Sequence, residues 1–261
     1  MNEPERHKSF KARDIGASRR PSWRAYADLV VGEGGLLALL RYELVVGVLG
    51  TVPGALGLAL RKAFYPSVLG SVGRNVVFGR NVVIRHGGKI HIGSGVIVDD
   101  GCVLDAKGDG GSRILIGGGV FVGRNTIVYT KGGGVVELGD DVNVGANCTL
   151  YAKNRLSVGA GTLIAAYCHL MSGGQYDYRS ATPLHEQDSV SRGPTTIGPG
   201  CWLGSKVVVQ DNVSVGAGTV IGTGAVVTED VPAEAVAMGV PARVRAERRA
   251  RPGRPELVGG T

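Results

Sequence analysis

From residue 72 to residue 227 an apolar residue returns at every sixth position, with small or polar residues between. The series runs Val72, Phe78, Ile84; Ile92, Val98, Leu104; Ile116, Val122, Val128; Leu138, Val144, Leu150; Val158, Ile164, Leu170; Ile197, Leu203, Val209; Val215, Ile221, Val227. A period of six is neither the 3.6 of a helix nor the 2 of a simple strand, and a fixed period kept over many units marks a stacked-repeat architecture. Within each group of three the spacing never varies. The extra residues number 2, 6, 4, 2 and 21 and fall only between groups, with none before Val215. Three hexads per turn therefore make a triangular coil, and every insertion leaves from the same corner. Seven coils with strands about 4.8 Å apart predict a prism roughly 30 to 35 Å tall.

Two more columns follow from this register. The position two before the apolar residue is predicted to face inward as well. It holds β-branched or small residues such as Val76, Val96, Thr126 and Thr162, and all four cysteines, Cys102, Cys148, Cys168 and Cys201. Those cysteines are read as buried, reduced small hydrophobes. The position three before is a turn, and Asn75, Gly95, Gly119, Asn147 and Gly218 there suit a left-handed backbone. Tyr167 and Lys206 occupy the same position and are strained if they keep its dihedral angles.

Stacked coils need caps at their ends. The expected organisation is a disordered polar leader at 1–20, an apolar helical segment at 21–69, the coils at 70–230 with a protruding loop at 172–195, and a cap with a basic tail at 231–261. The close is predicted as a short strand and helix over residues 230 to 249. No signal-peptide h-region stands in the first 20 residues. Residues 29–60 are strongly apolar but are interrupted by Glu33, Arg41, Glu43 and Pro53, so no clean membrane span exists. This segment either lies on a membrane surface, with Trp23 and Tyr26 at the interface, or caps the first coil. The 44 glycines and 5% aromatics fit a frequently turning coil filled by small side chains. The net charge of +7 suits an anionic partner, but much of it sits in the terminal runs around Arg19, Arg20 and Arg243 to Arg254. No aromatic–basic stripes mark the coils, which argues against nucleic acid.

The hexad rule over residues 70 to 245 resembles the hexapeptide-repeat acyltransferase superfamily. The likeness is most specific in residues 196 to 244, which resemble the C-terminal section of the galactoside, maltose and polysaccharide O-acetyltransferases. Cys201-Trp202-Leu203-Gly204 resembles their tryptophan-containing hexad. Gly239-Val240-Pro241-Ala242-Arg243 resembles their closing motif, with Val240 in place of the usual asparagine. The resemblance implies an all-β core in the form of a left-handed parallel β-helix of about seven coils. It also implies a homotrimer with active sites in clefts between copies, acetyl-CoA or another acyl-CoA as donor, and a sugar-like hydroxyl or an amine as acceptor. The location implied is cytoplasmic, peripheral to the inner face of a membrane if residues 29–60 touch it.

Acyl transfer from a thioester needs a base, an oxyanion site and a groove for the pantetheine arm. Histidine suits the base role. His7 lies in the leader, and His86 in a corner insertion. His91 and His169 each precede an inward aliphatic residue and so point outward. His185 lies in the long insertion, whose length is itself a functional signal. In the related transferases that insertion carries or flanks the catalytic histidine. Here the matching stretch is Gly174-Gln175-Tyr176-Asp177-Tyr178, and Tyr176 stands where the histidine would fall. The base is then His169, held on a rigid strand, or His185, with Asp177 or Glu186 to orient the imidazole. Gln175, Tyr176 and Tyr178 are candidates for the acceptor, and Trp202, Ser205, Lys206 and Arg243 for CoA. No metal is expected, because His86 and His91 are about three coils from His169, too far to share one ion. A trimeric scaffold that has lost its base is the rival reading, and Tyr176 is its support.

Overall fold

The computed structural model describes residues 22–32, 34–108 and 110–248; the leader, His7 and the end of the basic tail lie outside them. Three sheets of seven, nine and seven strands form, parallel throughout the hexads, where each strand pairs with the one a full coil later. The register is that of the sequence period. Phe78, Val98, Val122, Val144, Ile164, Leu203 and Ile221 stack in one inward column, and the two other faces supply equivalent columns. With few exceptions, Val72 among them, these apolar residues are almost wholly buried. Each such side chain contributes about 1.5–3 kcal/mol of burial.

The second inward column is buried too, and it carries a run of donors. Thr126, Thr162 and Thr219 each donate from Oγ1 to a carbonyl one coil on, at 2.9, 3.0 and 2.8 Å. Cys102, Cys148, Cys168 and Cys201 make the matching S–H contacts at 3.1, 3.2, 3.2 and 3.1 Å. All four thiols are free and buried, and burial pushes the Cys102 thiol up to about 11. The turn column is left-handed throughout, and Tyr167 and Lys206 share it, at φ 64° and 63°. The strain expected of those two residues is therefore present.

Every insertion leaves from the corner between the third sheet and the first. The apolar N-terminal segment folds into short helices, Ser22–Val30, Gly35–Tyr42 and Gly54–Phe64, joined by irregular helical turns. Their inner residues Val45, Tyr65 and Leu69 join the coil core. Tyr65, fully buried, donates its hydroxyl to the carbonyl of Val82 at 3.0 Å. Arg61, also buried, donates to the carbonyls of Phe78 at 2.9 Å and Val52 at 2.7 Å. Gly57 is required beside this contact, since a Cβ there would strike the Val52 carbonyl.

These bonds correct the expectation of membrane contact through residues 29–60. Among the described residues no helix is long and apolar enough to cross a membrane. The segment breaks at Gly34 and Pro53 into pieces, and its Val30 and Gly50 carbonyls accept from the His86 and Asn81 N–H of the first coil at 2.9 and 3.0 Å. The C-terminal close also differs from expectation. It is a pair of strands, Ala235–Met238 parallel to the last coil and Arg243–Glu247 antiparallel to it, with no helix. The β-branched and alternating residues of Ala235–Glu247 extend the second sheet by pairing with it, which satisfies backbone groups that a helix would leave facing the coil.

Candidate active site

The outward columns of the three sheets differ in polarity. The first carries Ser71, His91, Leu115, Glu137, Ser157, Thr196 and Ser214. The second carries Val77, Ile97, Phe121, Asn143, Leu163, Trp202 and Val220. The third carries Val83, Val103, Ile127, Thr149, His169, Val208 and Val226. Two faces of the prism are thus largely apolar on the outside, broken by Asn143 on one and by Thr149 and His169 on the other, which burial in the coil does not explain.

His169 interrupts the third column between Thr149 and Val208. It opens the strand His169–Ser172, whose other end launches the long loop. Its side chain is half-buried, and burial lowers its pKa from the ordinary 6.5. A neutral imidazole on a strand held from both sides is suited to accept a proton. The other histidines are differently placed. His86 is buried against the N-terminal helices, with Nε2 3.1 Å from the Asp28 carbonyl. His91 sits on the first sheet, 2.9 Å from Ser71 Oγ. His185 is exposed on the loop, 3.5 Å from Glu186.

The loop is internally bonded. Gln175 and Val190 exchange backbone hydrogen bonds at 3.0 and 2.7 Å. The Gln187 amide donates to the carbonyls of Asp177 and Thr182 and accepts from the Asp177 N–H. Asp177 turns its carboxylate to the Arg179 N–H at 3.0 Å, within its own turn, so orienting a histidine is not the role its bonds describe. Gln175, Tyr176 and Tyr178 line a cavity of about 320 Å³ together with Arg179 and Arg192. A larger hollow of about 1180 Å³ lies beside His86, between the N-terminal helices and the first coils. That hollow is at the other end of the prism from His169.

The CoA candidates lie on other elements. Trp202 is exposed on the second sheet. Ser205 and Lys206 form the turn that leads to the third sheet, and the Lys206 N–H bonds to the Ala166 carbonyl of the coil below at 3.0 Å. Tyr167 and Lys206 therefore flank the edge from which the His169 strand departs. Arg243 is farther along, paired with Glu229 at 3.4 Å. Within one chain, Trp202 and His169 occupy different faces.

Sequence reading missed the groups that hold the loop. Asp211, nearly buried, accepts from Ser191 Oγ at 3.0 Å and from the Arg192 N–H at 2.6 Å. Lys153 reaches Ser189 Oγ at 3.4 Å. An aspartate beside the turn residue Asn212 was the one available signal, and it looks like any exposed corner residue. Among the described residues no group of three or more His, Cys, Asp or Glu could hold a metal ion.

The β-helix with a long loop beside an outward histidine can be set beside known proteins. Residues 194–229 match the model described as bacterial transferase hexapeptide (six repeats), and residues 71–106 and 113–152 match the hexapeptide repeat of succinyl-transferase. These matches fall on the coils, and they are to models built on the hexapeptide repeats of transferases. It is 33% identical over 117 residues to galactoside O-acetyltransferase of Escherichia coli K12, a match covering 45% of this chain and 56% of that protein. The chain thus spans about half the length of the relatives it matches. Its fold is shared with AntD, an N-acyltransferase from Bacillus cereus solved with dTDP and 3-hydroxybutyryl-CoA. That likeness has a TM-score of 0.51 at 21% identity and covers 72% of this chain and 88% of AntD.

Proposed function

We propose that the protein is a CoA-dependent acyltransferase that moves an acetyl or other short acyl group to a hydroxyl or amine of a sugar-like acceptor. His169 is the general base in this reading. The observation that carries it is the half-buried histidine, its pKa lowered, on a largely apolar outward column beside the long loop. His169 takes the proton from the acceptor hydroxyl as its oxygen attacks the thioester carbonyl. Backbone N–H groups stabilise the tetrahedral oxyanion. The intermediate collapses by breaking the carbon–sulfur bond, and the imidazolium returns its proton to the departing thiolate.

The two apolar outer faces support a homotrimer. In such an assembly the Trp202 face of one copy packs against the His169 face of the next. Trp202, Ser205 and Lys206 then flank the donor groove, Arg243 pairs with CoA phosphates, and Gln175, Tyr176 and Tyr178 contact the acceptor. His185 is the second choice as base, and its exposure beside Glu186 makes it the less precisely held of the two.

The test is thiol release from acetyl-CoA over a panel of sugars and sugar nucleotides, with the His169→Ala and His185→Ala variants. Acceptor-dependent release that collapses only in His169→Ala supports the assignment. Release that survives there and falls in His185→Ala moves the base to the loop. Absence of CoA binding in wild type would sink the transferase reading in favour of a trimeric scaffold, which Tyr176 in place of the usual histidine favours.

A further inference from the structure

Three lysines stand in one column along the corner from which the insertions leave. Lys107, Lys131 and Lys153 each stand two residues after the paired third-sheet positions Asp105, Tyr129 and Tyr151. Backbone contacts keep them on successive coils. Thr130 Oγ1 donates to the Lys107 carbonyl at 3.3 Å, the Lys131 N–H to Ala152 at 2.9 Å, and the Lys153 N–H to Ser172 at 2.7 Å. The Lys153 stem lies over Gly132 of the coil below. Its pKa is lowered by burial, and Lys131 adds to that effect against Asp188.

Beneath the lysines the base is rigid, because the Tyr129 and Tyr151 rings stack with centroids 4.5 Å apart. Lys153 also reaches Ser189 on the long loop. Beyond it the loop cavity is lined by Arg179 and Arg192 against a single carboxylate, Asp177, so its lining is cationic on balance. A track of cations therefore leads along the corner into the cavity.

We infer that this corner is a docking track for an extended anionic oligosaccharide, whose end enters the loop cavity. Rungs about 4.8 Å apart approximate the length of one pyranose in an extended chain, so successive acidic sugars meet successive lysines. An extended acidic peptide presents same-side carboxylates about 6.6 Å apart, out of step with the rungs. Single-stranded nucleic acid needs open aromatic faces for its bases. Here Tyr151 is 7% exposed and stacked on Tyr129. That the bound chain is the acyl acceptor rests on the transferase reading; that it binds does not.

The experiment uses the full chain and a fluorescent oligogalacturonate, read by anisotropy against its uncharged methyl ester, an oligodeoxynucleotide and polyglutamate. The acid form is expected to bind alone among these probes, more weakly as salt rises. The double variant Lys131→Gln/Lys153→Gln is expected to weaken it about tenfold. Lys131→Arg/Lys153→Arg restores binding, and Lys62→Gln on the Gly54–Phe64 helix binds as wild type. Equal binding of the ester, unchanged affinity in the folded double variant, or preference for DNA or polyglutamate would overturn the track. Thiol release from acetyl-CoA with neutral acceptors separates the two readings. Release without oligogalacturonate binding ends the track and leaves the transferase. Lysine-dependent binding with no CoA chemistry does the reverse.

Discussion

Asp211 Oδ2 accepts the backbone N–H of Arg192 at 2.6 Å, and its other oxygen takes the Ser191 hydroxyl at 3.0 Å. A single nearly buried carboxylate thus ties the returning arm of the long loop to the corner of the next coil. The loop's position relative to the third sheet is set by this anchor and by the Gln175–Val190 pair, since the coils themselves say nothing about where 21 extra residues go.

Replacing Asp211 with alanine leaves two donors without their charged partner, at a cost of about 1.5–3 kcal/mol for hydrogen bonds of this kind. Most of that loss is expected locally. Hydrogen exchange followed by mass spectrometry should show residues 173–194 opening faster while the coil strands keep their protection. Uniform loss of protection across the coils would show that Asp211 supports the fold rather than the loop.

Burial disfavours protonated His169, so its folded-state pKa lies below the ordinary 6.5. The folded protein therefore binds this proton less readily than the unfolded chain. The linked stability is fully present above 6.5, is lost as pH falls from there toward the depressed value, and is constant below it. The same shift, which belongs to the unliganded protein, places the acid limb of the kcat/KM–pH profile below pH 6.5. His169→Ala should lower kcat by about 10²- to 10⁴-fold and abolish that limb. An unchanged limb in the variant would assign the titration to another group.

Lys206 holds φ 63° without the freedom of glycine. A left-handed non-glycine residue is disfavoured by about 1–2 kcal/mol, and asparagine tolerates the region better. Lys206→Asn is therefore expected to raise stability by about 0.5–1 kcal/mol in urea denaturation. If Lys206 flanks the donor groove, the same variant binds CoA less tightly in calorimetry. Greater stability with unaltered CoA affinity would remove Lys206 from the groove.

Leu163 is half exposed in the second outward column, bracketed by Asn143 and Trp202. An unpaired charge there strongly opposes burial against another copy. Leu163→Asp should shift the mass seen in analytical ultracentrifugation from trimer to monomer, and Ser157→Asp on the polar first sheet should not. A wild-type protein that sediments as a monomer would remove the intersubunit cleft.

The hexad period by itself determined the coils, the two inward columns, the left-handed turn column including Tyr167 and Lys206, and the single corner of insertion. These are local consequences: a residue's place in a six-residue unit fixes which way its side chain faces, whatever the distant chain does. It also turned His169 outward beside the loop. Tertiary structure alone decided the rest. Residues 29–60 are apolar enough for either a cap or a surface, and the cap is seen only in the bonds to the first coil, from Asn81 N–H to the Gly50 carbonyl, from His86 N–H to the Val30 carbonyl, and from the following Arg61 and Tyr65. The C-terminal close became paired strands because the last coil offered an open edge. Asp177 faces its own turn, and the loop is held instead by Asp211, a residue far along the chain whose role exists only once stacking brings its corner beneath the loop. Period is written in neighbours, whereas anchoring depends on which coil lies next to which.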